Sequence, residues 1–405
     1  MRFEKDWGRL GLKLSDWKKV KLSELGTIVG GGTPSTKKEE YYGGDIPWIT
    51  PKDLANFGER YIEHGSRNIT LAGLENSSAK ILPVGSILFS SRAPIGYIAI
   101  ASNNVSTNQG FKSIIPNSDV DSLFLYYLLK FNKDKIENMG SGTTFKEVSA
   151  SIMKSIEVFI PTEIVEQRKI SAILGAIDDK IENNKKINHH LEEILQANLE
   201  KQLESISIKS KIIDLNLTVS DHVANGSFKS LKDNVKLVEK TDYALFLRNI
   251  DLKNHLNGER RYVTESSYEF LKKSRLYGHE VIISNVADVG SVHRVPKMNM
   301  PMVAGNNVVF LQSENSLLTD YLYVYFNSRL GQHDIMSITS GSAQQKFNKT
   351  DFRNLEIPIL SDDIIKKKIS SILHYIDNIH EEIACLMKIR ATLLPKLLSG
   401  EISVN

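Results

Sequence analysis

Three observations predict an α+β chain made of two copies of one module. First, "KISAILGAID" (Lys169 to Asp178) returns as "KISSILHYID" (Lys368 to Asp377), with seven of ten letters shared. Second, the offset of 199 between Lys169 and Lys368 holds over some forty residues, because Ser141, Glu157, Ile160 and Glu182 fall on Ser340, Glu356, Ile359 and Glu381. Third, β-like runs between turn residues precede each copy of the phrase, and a long apolar stripe at helical spacing follows it. The expected architecture is two mixed α/β heads separated by two long helices, which pair as an antiparallel coiled coil with an internal pseudo-two-fold repeat. Its parts are a first head over 1–160, a central helix over 161–205, a second head over 206–360 and a distal helix with its tail over 361–405.

Each head is built from short runs. In the first, "GDIPWIT", "GSILFSS", "GYIAIAS" and "FKSIIP" read as strands broken by Gly, Ser, Asn and Pro. "GSILFSSRAPIG" (Gly85 to Gly96) parallels "GHEVIISNVADVG" (Gly278 to Gly290), and "NNVSTNQGF" lies opposite "MVAGNNVVF". A short helix is expected at "DSLFLYYLLKFN", answered by "TDYLYVYFNSRL" in the second head.

The central helix should start behind Thr162 as cap, with Glu163 in its first turn, where the helix dipole favours acids. Ile170, Leu174, Ile177, Ile181, Asn184, Asn188, Leu191 and Leu195 alternate steps of four and three, which is a heptad seam. Roughly forty residues rising about 1.5 Å each make a rod of some 60 Å. The distal helix should start at Ser361, with Asp362 and Asp363 behind it and Ile365, Ile369, Ile372, Ile376, Ile379, Ile383 and Leu386 as its stripe. Pro395 should break it, and Gly400 suits its end. Neither stripe can be buried alone, so the two rods should pack on each other, with Asn184 and Asn188 fixing the register.

Composition narrows the function. The 405 residues carry a formal charge of +3, which permits a polyanionic partner without demanding one. The single cysteine, Cys385, excludes an internal disulfide framework and fits a reducing compartment. The charged start lacks the apolar run of a signal peptide, and no run is long enough to span a bilayer, so a cytoplasmic location is expected. No catalytic constellation stands out. "GGGTPSTKK" and "GSGTTFK" imitate phosphate loops without their spacing, no metal motif occurs, and His189–His190 reads as a solvated pair on a helix.

The loops do carry hydrogen-bonding equipment at corresponding places. The first head offers Thr33, Ser35, Ser90, Ser91, Arg92, Thr107, Asn108, Gln109, Thr143, Thr144 and Lys146. The second offers Ser284, Asn285, His293, Arg294, Asn306, Asn307, Ser342, Gln344, Gln345 and Lys346. Arginine pairs with guanine and Asn or Gln with adenine in the major groove, while Ser, Thr and Lys serve phosphates and bases alike. These side chains are the candidate DNA contacts, and Arg92 and Arg294 take similar places, each in a polar loop beside a β-like run. Any one of them alone reads better as a turn former, and it is their recurrence in both heads that favours function.

The stretch "WKKVKLSELGTIVGGGTPSTKKEEYYGGDIPWITPKDL", with "STNQGF", "QRKISAILGAIDDKIE" and "LLPKLLSGEI", resembles the DNA-specificity (S) subunits of type I restriction–modification systems over nearly the whole chain. The resemblance implies a non-catalytic subunit whose heads each read one half of a bipartite, asymmetric DNA site, with the rods setting the gap. It also implies docking of two modification subunits, which methylate adenine, and of restriction subunits with them. S-adenosylmethionine, ATP and Mg would then belong to those partners, and the chain itself would hold no cofactor. The second head opens with "DHVANGSFKSLKDNVKL" and lacks the "GGGTPS" loop, which leaves its contacts near that position open. Two other readings remain at this point: a methyltransferase fragment without its catalytic part, and a coiled-coil adaptor that binds no nucleic acid.

Overall fold

The computed structural model describes residues 17–55, 57–141, 146–256, 258–341 and 344–404. They form two compact units. One takes residues 1–185 and 382–405, the other 186–381. The units therefore cut across the four linear segments, since each combines a head with part of both long helices.

In the first unit the run Ile87–Ser91 is buried on both faces, as a continuous apolar strand should be. Ile87 and Phe89 point into one core with Phe124, Leu125, Ile170, Leu174 and Leu397. Leu88 points the other way, into a second core with Ile49, Ala99 and Phe111. Among the described residues this strand lies in a five-stranded sheet ordered Gly26–Gly30, Lys112–Pro116, Ile87–Ser91, Ile95–Ala101, Tyr61–Ile62. Beside it is a three-stranded sheet of Arg67–Ile69, Tyr42–Ile49 and Ser106–Thr107. The expected short helix is present at Ser122–Phe131, where the Asp121 carboxylate accepts from the Phe124 amide at 2.8 Å and caps it.

The second unit repeats the plan. Val281–Ser284 is again fully buried and pairs antiparallel with Val308–Gln312 and Val292–Arg294. Val281 and Ile283 face one core with Tyr321, Phe326 and Phe352, and Ile282 faces another with Leu245 and Phe310. A five-stranded sheet centred on Ala244–Leu247 closes the head. Backbone bonds confirm the offset of the repeat. Leu22 N–H donates to the Ile156 carbonyl at 2.9 Å, and Ile212 N–H to Leu355, which lies 199 residues beyond Ile156, at 3.0 Å.

The long helices run antiparallel within each unit. In the first, the Asn184 side-chain amide donates to Glu382 at 2.8 Å, and Arg390 pairs with Asp178. In the second, Asn188 reaches the Ile376 carbonyl at 3.5 Å, while Leu195 and Leu199 share a core with Ile365, Ile369 and Leu373. The two seam asparagines thus both bond across the helix pair. The central helix spans Ile164–Leu203.

The distal helix departs from expectation twice. It opens as Asp362–Ile365, passes through a π turn at Lys366–Ser370 and continues as Ser371–Leu398. Nor does Pro395 break it. Proline removes one N–H, but only three residues follow before the helix ends, and the Pro395 carbonyl still accepts from Ser399 at 2.9 Å. Gly400, at φ +74°, supplies the left-handed residue that follows the helix.

His222 gives the second unit a pH dependence. It is 6% exposed and meets Phe246 edge-on at 5.3 Å. Burial pushes its imidazole below the ordinary 6.5, outweighing the backbone bond to Ala304 and the charge of Asp221, which act the other way. Burial lowers His293 in the same unit as well. The unfolded chain therefore binds protons that the folded unit resists, so this stability is complete above about pH 6.5 and is lost as pH falls. The melting temperature of the second unit should drop between pH 7.5 and 5, and His222→Gln should flatten the drop. An equal drop in the variant would remove His222 from the account.

Candidate nucleic-acid interface

The heads present three loops on one hydrogen-bonded frame. In the first head Ser91 N–H donates to the Gly110 carbonyl at 2.7 Å, and the Ser91 carbonyl accepts from Val148 at 2.9 Å. In the second, Asn285 N–H donates to Asn307 at 3.1 Å, and the Asn285 carbonyl accepts from Phe347 at 3.2 Å. The next residues, Arg92 and Val286, bridge Glu147 and Lys346. Then comes an alanine with positive φ in each loop, Ala93 at 48° and Ala287 at 66°, followed by Gly96 at 93° and Gly290 at 86°.

The second loop is fixed alike, with Asn108 N–H on the Ile49 carbonyl at 3.0 Å and Gly305 N–H on Leu247 at 2.8 Å. The third is a turn closed by a carboxylate. Asp53 accepts from the Thr50 amide at 2.8 Å, and Asp251 from the Arg248 amide at 2.9 Å. Burial alone would raise the Asp53 carboxyl, but bonds from Thr50 and Ser66 outweigh it and hold it below its ordinary range, so the turn stays locked at neutral pH.

Many of the expected contact residues build this frame and do not project from it. Ser90 and Ser91 are fully buried. The Ser90 hydroxyl donates to the Pro94 carbonyl and accepts from Tyr97 N–H, both at 2.8 Å, and the Ser91 hydroxyl donates to Gly110 at 3.1 Å. Thr107 and Ser284 are buried too, the Ser284 hydroxyl donating to the Val286 carbonyl at 3.3 Å. Asn108 accepts from Gly110 N–H at 2.9 Å, and the Asn285 side-chain amide donates to Phe347 at 3.4 Å. His293 sits half-buried at 2.9 Å from the Ser291 hydroxyl. These seven are held by the fold, because a polar side chain beside a strand end finds groups of the fold first.

Others do reach the surface. Thr33, Ser35, Gln109 and Lys146 are exposed in the first head, with the Thr33 hydroxyl donating to the Gln109 side chain. Arg92 is 37% exposed and lies 3.6 Å from Glu147. Asn306, Asn307, Gln344, Gln345 and Lys346 are exposed in the second head. Thr143, Thr144 and Ser342 lie outside the described residues.

Arg294 is the clearest correction. Its guanidinium lies 3.1 Å from Asp320, pairs with Asp377 and sits 5.3 Å from the Tyr323 ring centroid, with 16% of the side chain exposed. It ties a strand to the distal helix and is not free to read a base. Nor is it the counterpart of Arg92. Strand register pairs Val281 with Arg294 and Ile87 with Ile100, so Arg294 stands where the first head has Ile100. There the parallel duty falls to Arg60, whose carbonyl accepts from Ile100 and whose guanidinium pairs with Asp179 and, at 3.0 Å, with Glu182. The residue in the place of Arg92 is Val286.

An open cleft in the second head brings Asn306 and Asn307 together with residues the sequence did not single out: Arg248, Asn249, Lys253 and Arg261. Arg248 is held by Asp251 at 2.7 Å and by the Glu259 carbonyl at 2.8 Å. Lys253 is 3.2 Å from Asp288, and the Asn249 amide nitrogen donates to the same carboxylate at 2.9 Å. The Asn249 amide oxygen has no protein partner. A faint signal was available in "RNIDLK" (Arg248 to Lys253), which shares only Asp-Leu with "TPKDLA" (Thr50 to Ala55). Among the described residues no cluster of side chains could hold a metal ion, and no helix is long and apolar enough to cross a membrane.

The family model described as "Type I restriction modification DNA specificity domain" matches residues 14–193 and again 205–385. The chain is 33% identical over 429 residues to the Type I restriction enzyme MjaIX specificity subunit of Methanocaldococcus jannaschii, covering 96% of this chain and 94% of that protein. It is 31% identical over 176 residues to the HindI specificity subunit of Haemophilus influenzae, covering 42% of this chain and 38% of that protein. A crystal structure of a Type-I restriction-modification system S subunit from M. genitalium matches with a TM-score of 0.59 at 18% identity, over 96% of this chain and 98% of that one. That likeness supports the fold.

Proposed function

Because the chain belongs to the family of type I restriction–modification DNA-specificity subunits, whose part is recognition and not catalysis, we propose that its two heads read the two halves of a bipartite, asymmetric duplex site. In the same reading the chain docks two modification subunits that methylate adenine, and restriction subunits join them. S-adenosylmethionine, ATP and Mg are the cofactors of those partners, and the flipped adenine is their substrate.

The observation that carries the reading is the shared frame. Two loops are fixed by matching backbone bonds in both heads and a third by the same aspartate, while most of the other side chains they carry differ. A pair of catalytic sites would keep its side chains, whereas two readers of different sequences keep the frame and change the letters. Mapping methylated adenines in DNA modified by the complex tests this. Two unlike half-sites at constant spacing are expected, and a single palindromic half-site would contradict it.

Salt provides a second measurement. Phosphate contacts release counterions, so affinity should fall linearly on a log–log plot against salt. A net charge of only +3 supports placing part of the basic surface on the partners. The chain alone should bind duplex DNA weakly, and the complex should bind tightly with a steeper salt slope. Equal affinity and equal slope with and without modification subunits would refute that division.

A further inference from the structure

We infer that the base preference of each half-site is set at the loop position held by Arg92 in the first head and Val286 in the second. On this assignment the first head demands a guanine and the second an A·T pair. The inference deepens the proposed reading of duplex DNA and rests on it.

Position is the first argument. Both residues directly follow the residue that the frame fixes, Ser91 in the first head and Asn285 in the second, and both directly precede an alanine in the left-handed region. An L-residue is strained there, because its Cβ crowds the following carbonyl oxygen. Such strain, repeated in two diverged heads, marks a tip whose shape is held for a purpose.

Chemistry is the second. Arg92 can leave its partner. Its contact with Glu147 is long, at 3.6 Å, and half-exposed, and such pairs contribute little. Lys112 lies 3.4 Å from the same carboxylate and keeps it paired when the guanidinium turns away. A freed guanidinium offers two parallel N–H groups, which match guanine O6 and N7.

The Val286 side chain offers no hydrogen bond. It lines the open cleft with Asn249, Asn306 and Asn307; of the two arginines in that cleft, Arg248 is held by Asp251 and the Glu259 carbonyl, and Arg261 pairs with Glu239. Carboxamides match adenine N6 and N7, and an apolar side chain matches the thymine methyl group. Arg92 and Val286 thus occupy one place in the frame with opposite demands on the base.

The test uses the full chain assembled with its modification subunits and a pool of duplexes randomised across both half-sites, with the bound fraction sequenced. The unaltered complex should enrich a fixed G·C pair in one half-site and A·T pairs in the other. Arg92→Val should relax that one G·C position about tenfold or more and leave the other half-site untouched. Val286→Arg should impose a G·C pair at one position of the second half-site. Unchanged enrichment in either variant, or a uniform loss across all sequences, overturns the assignment. If Val286→Arg fails to assemble, Arg92→Val decides, since the half-exposed Arg92 supports no core. No enrichment by the unaltered complex would instead sink the proposed function itself.

Discussion

Asp178→Ala is expected to lower the stability of the first unit by about 3–5 kcal/mol, as loss of one partner of a buried ion pair does. The Asp178 side chain is 4% exposed and pairs with Arg390, which is 24% exposed. Its other oxygen accepts from the Tyr127 hydroxyl at 2.7 Å. Burial first, and the Asp178 charge second, push Tyr127 above its ordinary pKa, so it stays a donor at any working pH. Removing the carboxylate leaves a guanidinium and a phenol without their acceptor. Asp178→Asn, which keeps one acceptor oxygen, should cost less. Calorimetric melting reads the effect, and an alanine variant that melts like the parent would show that the network contributes nothing net.

Arg294→Ala should have the next largest effect, about 2–3 kcal/mol in the second unit, scaled down from a fully buried pair for its partial exposure. It should leave the enriched half-sites unchanged. Arg294→Lys should recover part of the loss, because an ammonium can satisfy one carboxylate at a time. Normal melting with a changed half-site would restore Arg294 as a base reader and undo the correction.

These aspartates show how far the sequence was legible. Both end the repeated phrase, and its stripe is buried in part as read: Ile170, Leu174, Ile369 and Ile376 are buried, while Ile177 and Ile372 are half-buried. Periodicity reports which face is hidden because every turn repeats the same demand. It does not report that Asp178 turns to an arginine 212 residues away while Asp377 turns to one 83 residues away. Long-range polar partners leave no period.

The candidate side chains divide between the frame and the surface for a physical reason. Ser90, Ser91, Thr107 and Ser284 lie in the last residues of strands that are buried on both faces to their ends, so neither alternate position reaches solvent. The pairing of Arg92 with Arg294 failed because residue type was matched without register. Aligned by backbone bonds, the "SSRA" of the first head meets the "SNVA" of the second, and the arginine falls on a valine.

The division into units also bears on how the chain is made. The second unit is one uninterrupted stretch, 186–381, whereas the first needs residues from beyond 381, with Leu397 and Leu398 in the same core as Phe89 and Leu125. Synthesis ordinarily lets the leading domain finish first. Here the leading head emerges first but waits, its core open, while the whole of the later unit is translated and closed. During that interval the apolar faces of Ile170 and Leu174 lack the segment that covers them. A nascent chain halted shortly before residue 382 should therefore bind holdase chaperones through its first head, and translation of residues 382–405 should release it.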